Sequence, residues 1–108
     1  RLGDVRSRAM TLYKMAASLL AAGDLTDGRA QEIHAAASES FVIASRLNLP
    51  DGIGHAGLLL AELLGRTGRV KEALPILDDA KAAFTRLGDS VGLALVKRLR
   101  RALSRAAR

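Results

Sequence analysis

The sequence predicts an all-α fold, built as a stack of two helical hairpins followed by a fifth helix. Hydrophobic residues make up 49% of the chain, but only one Tyr and two Phe are aromatic, and no segment alternates apolar and polar residues as a half-buried strand does. Residues 60–84 also contain a helix, a glycine-bounded turn and a second helix in succession. Finally, apolar positions of the second predicted helix return in the fourth at a constant offset, which is typical of repeated hairpins.

The stretch 60–84 carries the helix-turn-helix pattern most clearly. Gly65 and Gly68 bracket the turn, and after it apolar residues recur at spacings of four, three and four, on one face of a helix. Small residues among them allow two helix backbones to approach closely. The apolar positions of the two helices are Leu60, Ala61, Leu64, Ala73, Leu77, Ala80 and Phe84.

Five helices are predicted, separated by turn signals. Asp4, Asp27 and Asp51 are the expected N-caps of the first three, because an aspartate side chain accepts hydrogen bonds from the free N–H groups of a first helical turn. Pro50 marks the break before the third helix. Pro75 lies just beyond the first turn of the fourth, where its missing N–H predicts a slight bend. The predicted helices run over about 4–22, 28–47, 52–65, 69–87 and 90–106.

Two sets of positions repeat along the chain. The third and fifth helices share a Gly-x-Ala pair, at Gly54 and Gly92, with an offset of 38. Such repeats indicate stacked hairpins, each of which covers the apolar face of its neighbour. In the second and fourth helices, Ala30, Ile33, Ala37 and Phe41 correspond to Ala73, Ile76, Ala80 and Phe84 with an offset of 43.

The second hairpin resembles the tetratricopeptide repeat family. Its residues Leu60, Ala61, Leu64, Gly68, Ala73, Leu77 and Ala80 follow the family's order of large, small, large, Gly, Ala, large and Ala at the family's spacing. The first hairpin fits with one extra residue in its turn, through Ala17, Leu20, Gly23, Ala30, His34 and Ala37. The period is about 40 residues rather than the usual 34. This period, together with the stretch from Leu87 to Ala94, is similar to the longer repeats of bacterial regulators, including maltose-regulator-like and antibiotic-regulator-like transcription factors.

The resemblance implies a right-handed α-solenoid that forms one domain over residues 1–108. The first repeat would span about 4–48 and the second about 51–88, with a cap or half repeat at 89–108. Because the chain begins at Arg1 rather than Met, we expect it to be a piece of a longer protein. The resemblance implies that this protein is a bacterial regulatory or signalling protein. By the same resemblance, it would be a non-catalytic module that binds a peptide or partner domain.

Ligands of this family lie in a concave groove lined by the first helix of each hairpin. Matching the repeats position by position places seven polar residues toward that groove. They are Lys14, Ser18, His55, Glu62, Arg66, Lys97 and Arg100. The Lys and Asn pattern of members that clamp a terminal carboxylate is not met, since Leu58, Leu59 and Glu62 stand at the matching positions of the third helix.

No residue pattern indicates catalysis, a metal or a cofactor. Residues 52–57 read G-x-G-x-x-G, but that fingerprint binds a dinucleotide only after a strand of a βαβ unit, and the preceding segment is helical. His34 and His55 are the only histidines, and without Cys the sequence shows no ligand cluster for a zinc site, which needs about four ligands. Asp78 and Asp79 are neighbours, but adjacent side chains of a helix point about 100° apart, so a solvated face is favoured over a pair of catalytic carboxylates. We therefore expect neither an enzyme nor a cofactor.

The net charge of +6 comes entirely from the fifth predicted helix and its end. The eleven acidic residues all precede residue 97 and are balanced by eleven bases, so the excess is Lys97, Arg98, Arg100, Arg101, Arg105 and Arg108. The helix also has an apolar face of Leu95, Leu99, Ala102, Leu103 and Ala106. We favour a cap or linker helix with a solvated outer face. The alternative is a nucleic-acid-binding segment that acts through Arg98, Arg101, Arg105 and Arg108.

Two further expectations concern the surroundings of the chain. No apolar run approaches the roughly 20 residues that span a bilayer, and the absence of Cys is compatible with a reducing compartment, so we expect no membrane contact and a cytoplasmic location. A short stack also leaves an apolar side of the first or fifth helix uncovered, where a second copy could pair.

Overall fold

The computed structural model describes residues 2–106, which form five α-helices and no strand. The helices are α1 (Leu2–Ala21), α2 (Asp27–Arg46), α3 (Pro50–Arg66), α4 (Val70–Leu87) and α5 (Ser90–Ala106). The predicted all-α class and the number of helices are confirmed over this range, and each helix end lies within two residues of the predicted one. Because α1 begins at Leu2, Asp4 lies in its first turn and the prediction that it caps the helix is wrong.

The other two predicted aspartate caps are also wrong. The N-cap of α2 is Thr26, whose side-chain oxygen accepts a hydrogen bond from the backbone N–H of Arg29 at 3.2 Å. Asp27 is instead the first residue of α2, where its negative charge interacts favourably with the positive end of the helix dipole. Helix α3 begins at Pro50. Proline has no N–H, and at the first position of a helix this costs nothing because an N–H there would have no partner within the helix. Asp51 therefore falls inside the first turn and is not the cap.

The chain turns sharply between α4 and α5. Pro75 lies within α4 without ending it. Helix α4 ends where Gly88 adopts a left-handed conformation with φ 65°, which most other residues would adopt only with strain. Asp89 then caps α5, since its Oδ1 accepts a hydrogen bond from the backbone N–H of Gly92 at 2.9 Å.

Helix α3 lies at the centre of the molecule. It contacts each of the other four helices, whereas α2 and α4 have no Cα atoms within 8 Å of each other in residues 2–106. The apolar positions that predicted the second hairpin are all at most 4% exposed, so the same pattern also identified the core. These buried residues are Leu60, Ala61, Leu64, Ala73, Leu77, Ala80 and Phe84.

The glycines of the G-x-G-x-x-G stretch serve helix packing. Gly54 and Gly57 are buried in α3, where a Cβ on Gly54 would lie 2.7 Å from Cε1 of Phe84 and one on Gly57 would lie 3.0 Å from Cε1 of Phe41. Gly92 of α5 meets the same Phe84 ring from another side, with Cε1 and Cγ only 2.6 Å from its would-be Cβ. Three glycines therefore allow helices to approach two phenylalanine rings closely.

Candidate functional site

An open groove of about 530 Å³ lies between α3 and α5, and we call it the α3/α5 groove. Helix α3 lines it with Leu58, Glu62, Gly65 and Arg66, and α5 lines it with Leu95, Arg98, Leu99, Ala102, Leu103 and Ala106. Most of these side chains are apolar, so the groove has a hydrophobic floor and a charged edge.

The groove narrows where α5 lies close to Gly65 of α3. A Cβ on Gly65 would overlap the Cδ2 methyl group of Leu103, so the glycine allows the buried Leu103 to pack against α3. Nearer the start of α5, Leu95 has no such partner and remains 40% exposed. The floor is therefore closed beneath Leu103 and open to solvent around Leu95, where a large apolar side chain faces water.

Charged side chains form the edge of the groove. Glu62 and Arg66, one turn apart on α3, make an ion pair of 2.6 Å. Arg98 lines the α5 side. Within residues 2–106 no carboxylate lies within 4 Å of the Arg98 guanidinium. The edge thus holds one satisfied ion pair and one unpaired positive charge.

The structure brings together some of the residues predicted to bind a partner and separates others. Glu62 and Arg66 line the α3/α5 groove. Arg100 instead forms an ion pair with Asp78 of α4, on another side of α5. Lys97 lies near Arg100 in a shallow depression that Arg101, Ser104 and Arg105 complete. Lys14 and Ser18 are exposed on α1.

The remaining predicted groove residue, His55, lines a second pocket of about 290 Å³ between α1, the end of α2 and the start of α3. Its ring lies between those of Tyr13 and Phe84, at centroid distances of 6.2 and 5.3 Å, and its Nε2 is 3.5 Å from a carboxylate oxygen of Asp51. Burial, and secondarily the charge of Asp51, raise the pKa of the Tyr13 phenol above its usual value. This pocket therefore combines an aromatic wall with a weakly paired imidazole.

The bases proposed for nucleic-acid binding lie along the outside of α5. Arg98, Arg101 and Arg105 are exposed, as is Lys97 beside them. No carboxylate of the described residues lies within 4 Å of these four side chains. Arg108, the fourth predicted arginine, falls outside the described residues. We call the exposed set Lys97, Arg98, Arg101 and Arg105 the basic stripe.

Sequence reasoning missed the apolar residues that line the groove. Leu58 was considered only for the carboxylate clamp, and Leu95, Leu99 and Ala102 only as an apolar face of the fifth helix. The width of that face was the available signal. Together with Leu103 and Ala106, these residues form an apolar face that is too wide for α3 and α4 to cover completely. Leu95, at the edge of this face, therefore remains 40% exposed.

Comparisons with protein-family models, with curated proteins and with solved structures find nothing that matches this chain. In the part of the chain that the structure describes, no helix has both the length and the apolar character needed to cross a membrane. The same residues contain no cluster of three or more His, Asp or Glu side chains suited to a metal ion.

Proposed function

We propose that this chain is a non-catalytic protein-interaction module whose partner binds in a concave groove lined by α1, α3 and α5. The observation that carries the proposal is the α3/α5 groove, where Leu95 stays 40% exposed on an apolar floor with charged residues at its edge. An apolar centre with a polar rim is the usual composition of a protein interface.

The groove would be concave if the helices form a right-handed solenoid of tetratricopeptide-like hairpins. The helix contacts support this arrangement, because α3 contacts both α1 and α5, as first helices of successive hairpins do. Two equivalent contacts also support it. Phe41 of α2 packs against Gly57 of the next hairpin, and Phe84 of α4 packs against Gly92 of the helix that follows.

The non-catalytic part of the proposal rests on the sequence, in which no residue pattern indicates catalysis. A parent bacterial regulatory or signalling protein belongs to the same proposal and rests on the sequence resemblance. A cytoplasmic location, with which the absence of Cys is compatible, is part of it as well.

Photo-crosslinking at matched positions tests this function. A photoreactive phenylalanine analogue would replace Leu95 in the groove or Val42 on α2, two apolar residues of nearly equal exposure, 40% and 42%. We expect a specific protein to be crosslinked in cells through position 95 and not through position 42. Equal crosslinking at the two positions, or recovery of nucleic acid alone from position 95, would contradict the proposal.

Nucleic-acid binding through α5 is a second candidate function, favoured by the unpaired charges of the basic stripe. Anisotropy of labelled duplex DNA would be measured between about 50 and 200 mM salt, where phosphate contacts weaken steeply. Changing Arg98, Arg101 and Arg105 to Gln should then weaken binding and reduce the salt slope by up to about 2.7, since each phosphate contact contributes about 0.9 to that slope. The matched control changes three exposed bases elsewhere, Arg46, Lys71 and Lys81, to Gln. Unchanged affinity and an unchanged salt slope after the first set of changes would exclude this function.

A further inference from the structure

The floor of the α3/α5 groove has no side chain that can form a hydrogen bond. It consists of Leu58, Leu95, Leu99, Ala102, Leu103 and Ala106. An extended peptide laid on this floor could pair its backbone only with the edge side chains Glu62, Arg66 and Arg98, of which the first two already pair with each other. Most backbone N–H and C=O groups facing the floor would therefore be buried without partners, which costs free energy. A helix satisfies those groups internally and can present only side chains. The chemistry of the floor therefore favours a helical occupant.

The shape of the floor suits a short helix with large apolar side chains. The stripe of α5 from Leu95 to Ala106 is about 16 Å long, which corresponds to about three helical turns. Toward its end the floor is made of small residues, Ala102 and Ala106, opposite Gly65 of α3. The groove is narrow there because Leu103 packs against Gly65, so the room for leucine-sized side chains of an occupant lies toward Leu95, which is 40% exposed.

The charge beside the floor favours an acidic occupant. Helix α5 carries five bases and no acid, and of these Arg100 is already paired with Asp78. On the opposite side of the groove, Glu62 neutralises Arg66. Of the basic stripe, Arg98 lines the groove and is unpaired there, whereas Lys97, Arg101 and Arg105 line a depression on another side of α5. A carboxylate of a partner in the groove could therefore approach Arg98.

We propose that the α3/α5 groove binds an acidic amphipathic helix of a partner protein, about three turns long. Its apolar face lies on the floor, and a carboxylate beside that face pairs with Arg98, the unpaired base at the edge of the groove. This inference rests on the proposed protein-interaction function and specifies its partner. Phosphates of a nucleic acid would use the stripe but not the apolar floor, and no aromatic side chain interleaves the bases of α5 for base stacking.

The test uses three labelled synthetic peptides of about 14 residues, long enough to cover the groove as a helix. The first has leucines on one face and glutamates beside them. The second replaces every glutamate by glutamine, and the third places a proline at the centre to prevent helix formation. Binding of each peptide, and of labelled duplex DNA, is measured by fluorescence anisotropy with residues 1–108.

The protein variants separate the floor from the charges. Ala102→Gln puts an uncharged amide on the floor, and Ala82→Gln makes the same change at an exposed position of α4. Circular dichroism checks that both fold. We expect the acidic helical peptide to bind most tightly, with about tenfold weaker binding to Ala102→Gln and none of that loss in Ala82→Gln, because a buried amide lacks a partner. Arg98→Gln should also weaken binding of the acidic helical peptide. The neutral and proline peptides should bind the unchanged protein at least about tenfold more weakly than the acidic helical peptide does.

The outcomes distinguish the acidic-helix inference from the proposed protein-interaction function on which it rests. If the proline peptide or the neutral peptide bound as tightly as the acidic helical peptide, with binding weakened by Ala102→Gln, the result would support binding in the groove but would contradict an acidic helix as its occupant. Binding of none of the peptides, with a protein still crosslinked at position 95, would do the same. Binding of DNA alone, unaffected by Ala102→Gln, would overturn both proposals.

Discussion

Gly92→Ala is expected to destabilise the fold because α5 approaches the ring of Phe84 through this glycine. The added Cβ would lie 2.6 Å from both Cε1 and Cγ of the ring, 0.8 Å inside the 3.4 Å at which ordinary contact begins. Phe84 is fully buried, and Gly54 of α3 holds the ring from another side, where a Cβ would be 2.7 Å from Cε1. The ring therefore cannot move away from α5 without meeting α3.

The size of the effect follows from two opposing terms. Overpacking of a well-packed core costs about 1–3 kcal/mol, and the confined ring places this site toward the upper end. Replacing a helical glycine by alanine returns up to about 1 kcal/mol through helix propensity. We expect a net loss of about 1–2 kcal/mol in the free energy of unfolding, which for a domain of this size lowers the Tm by roughly 5–10 °C.

Urea unfolding followed by far-UV circular dichroism measures this change. Gly28→Ala is the matched control, because Gly28 also lies in the first turn of a helix but has nothing within 4 Å of its would-be Cβ. The control should be neutral or stabilising by up to about 1 kcal/mol. In a Phe84→Leu background, Gly92→Ala should lose most of its cost, since the ring that it meets is gone.

Two results would refute this reasoning. If Gly92→Ala and Gly28→Ala changed stability equally, the close approach to Phe84 would have no energetic consequence. If the cost of Gly92→Ala were the same with Leu at position 84, its origin would lie elsewhere than in the ring. Either result would also weaken the account of how α5 is positioned beside the groove.

Three further predictions concern hydrogen bonding and protonation. Ser40→Ala should lower the free energy of unfolding by about 1 kcal/mol, because the buried Ser40 Oγ donates a 2.8 Å hydrogen bond to a backbone carbonyl of α1; unchanged urea unfolding would contradict this. The Tyr13 phenol, whose pKa is raised by burial and then by Asp51, should ionise above pH 10.0 in an absorbance titration. The folded state then retains a proton that the unfolded state has lost, so stability should fall as pH rises from 10.0 through the folded pKa, and not in Tyr13→Phe. The hydrogen bond from Arg69 lowers the pKa of the Glu72 carboxyl below 4.5, and an NMR titration should show this pKa rise in Arg69→Gln; an unchanged pKa would exclude the pairing.

Much of the fold could be predicted because its signals are local. Turn residues such as Gly88 and Pro50 mark the helix ends to within one or two residues, and the stripe that ends at Phe84 identifies the buried face of α4. The cap of α2 was misassigned because Thr26 and Asp27 are adjacent and both residue types cap helices well. Neighbouring turn residues with similar propensities leave the choice to the surrounding structure.

The candidate site could be predicted only in part, because it depends on how α5 is rotated about its axis. Carrying the repeat of α3 forward by 38 residues placed Arg100 toward the groove. In the structure, Gly92 packs against Phe84 and Leu103 against Gly65, and these two contacts fix the rotation. That rotation puts Arg98 at the groove and turns Arg100 toward α4.

The sequence by itself determined the five helices, their breaks, the buried face of the second hairpin and the location of the positive charge on α5. Each of these follows from residues close together in the chain, where helical periodicity and turn preferences act. Only the tertiary structure decided which apolar residues of α5 remain uncovered, with Leu95 open to solvent and Leu103 buried. That division depends on Gly65, nearly forty residues earlier in the chain, because a side chain is covered only where another helix comes close enough to exclude water.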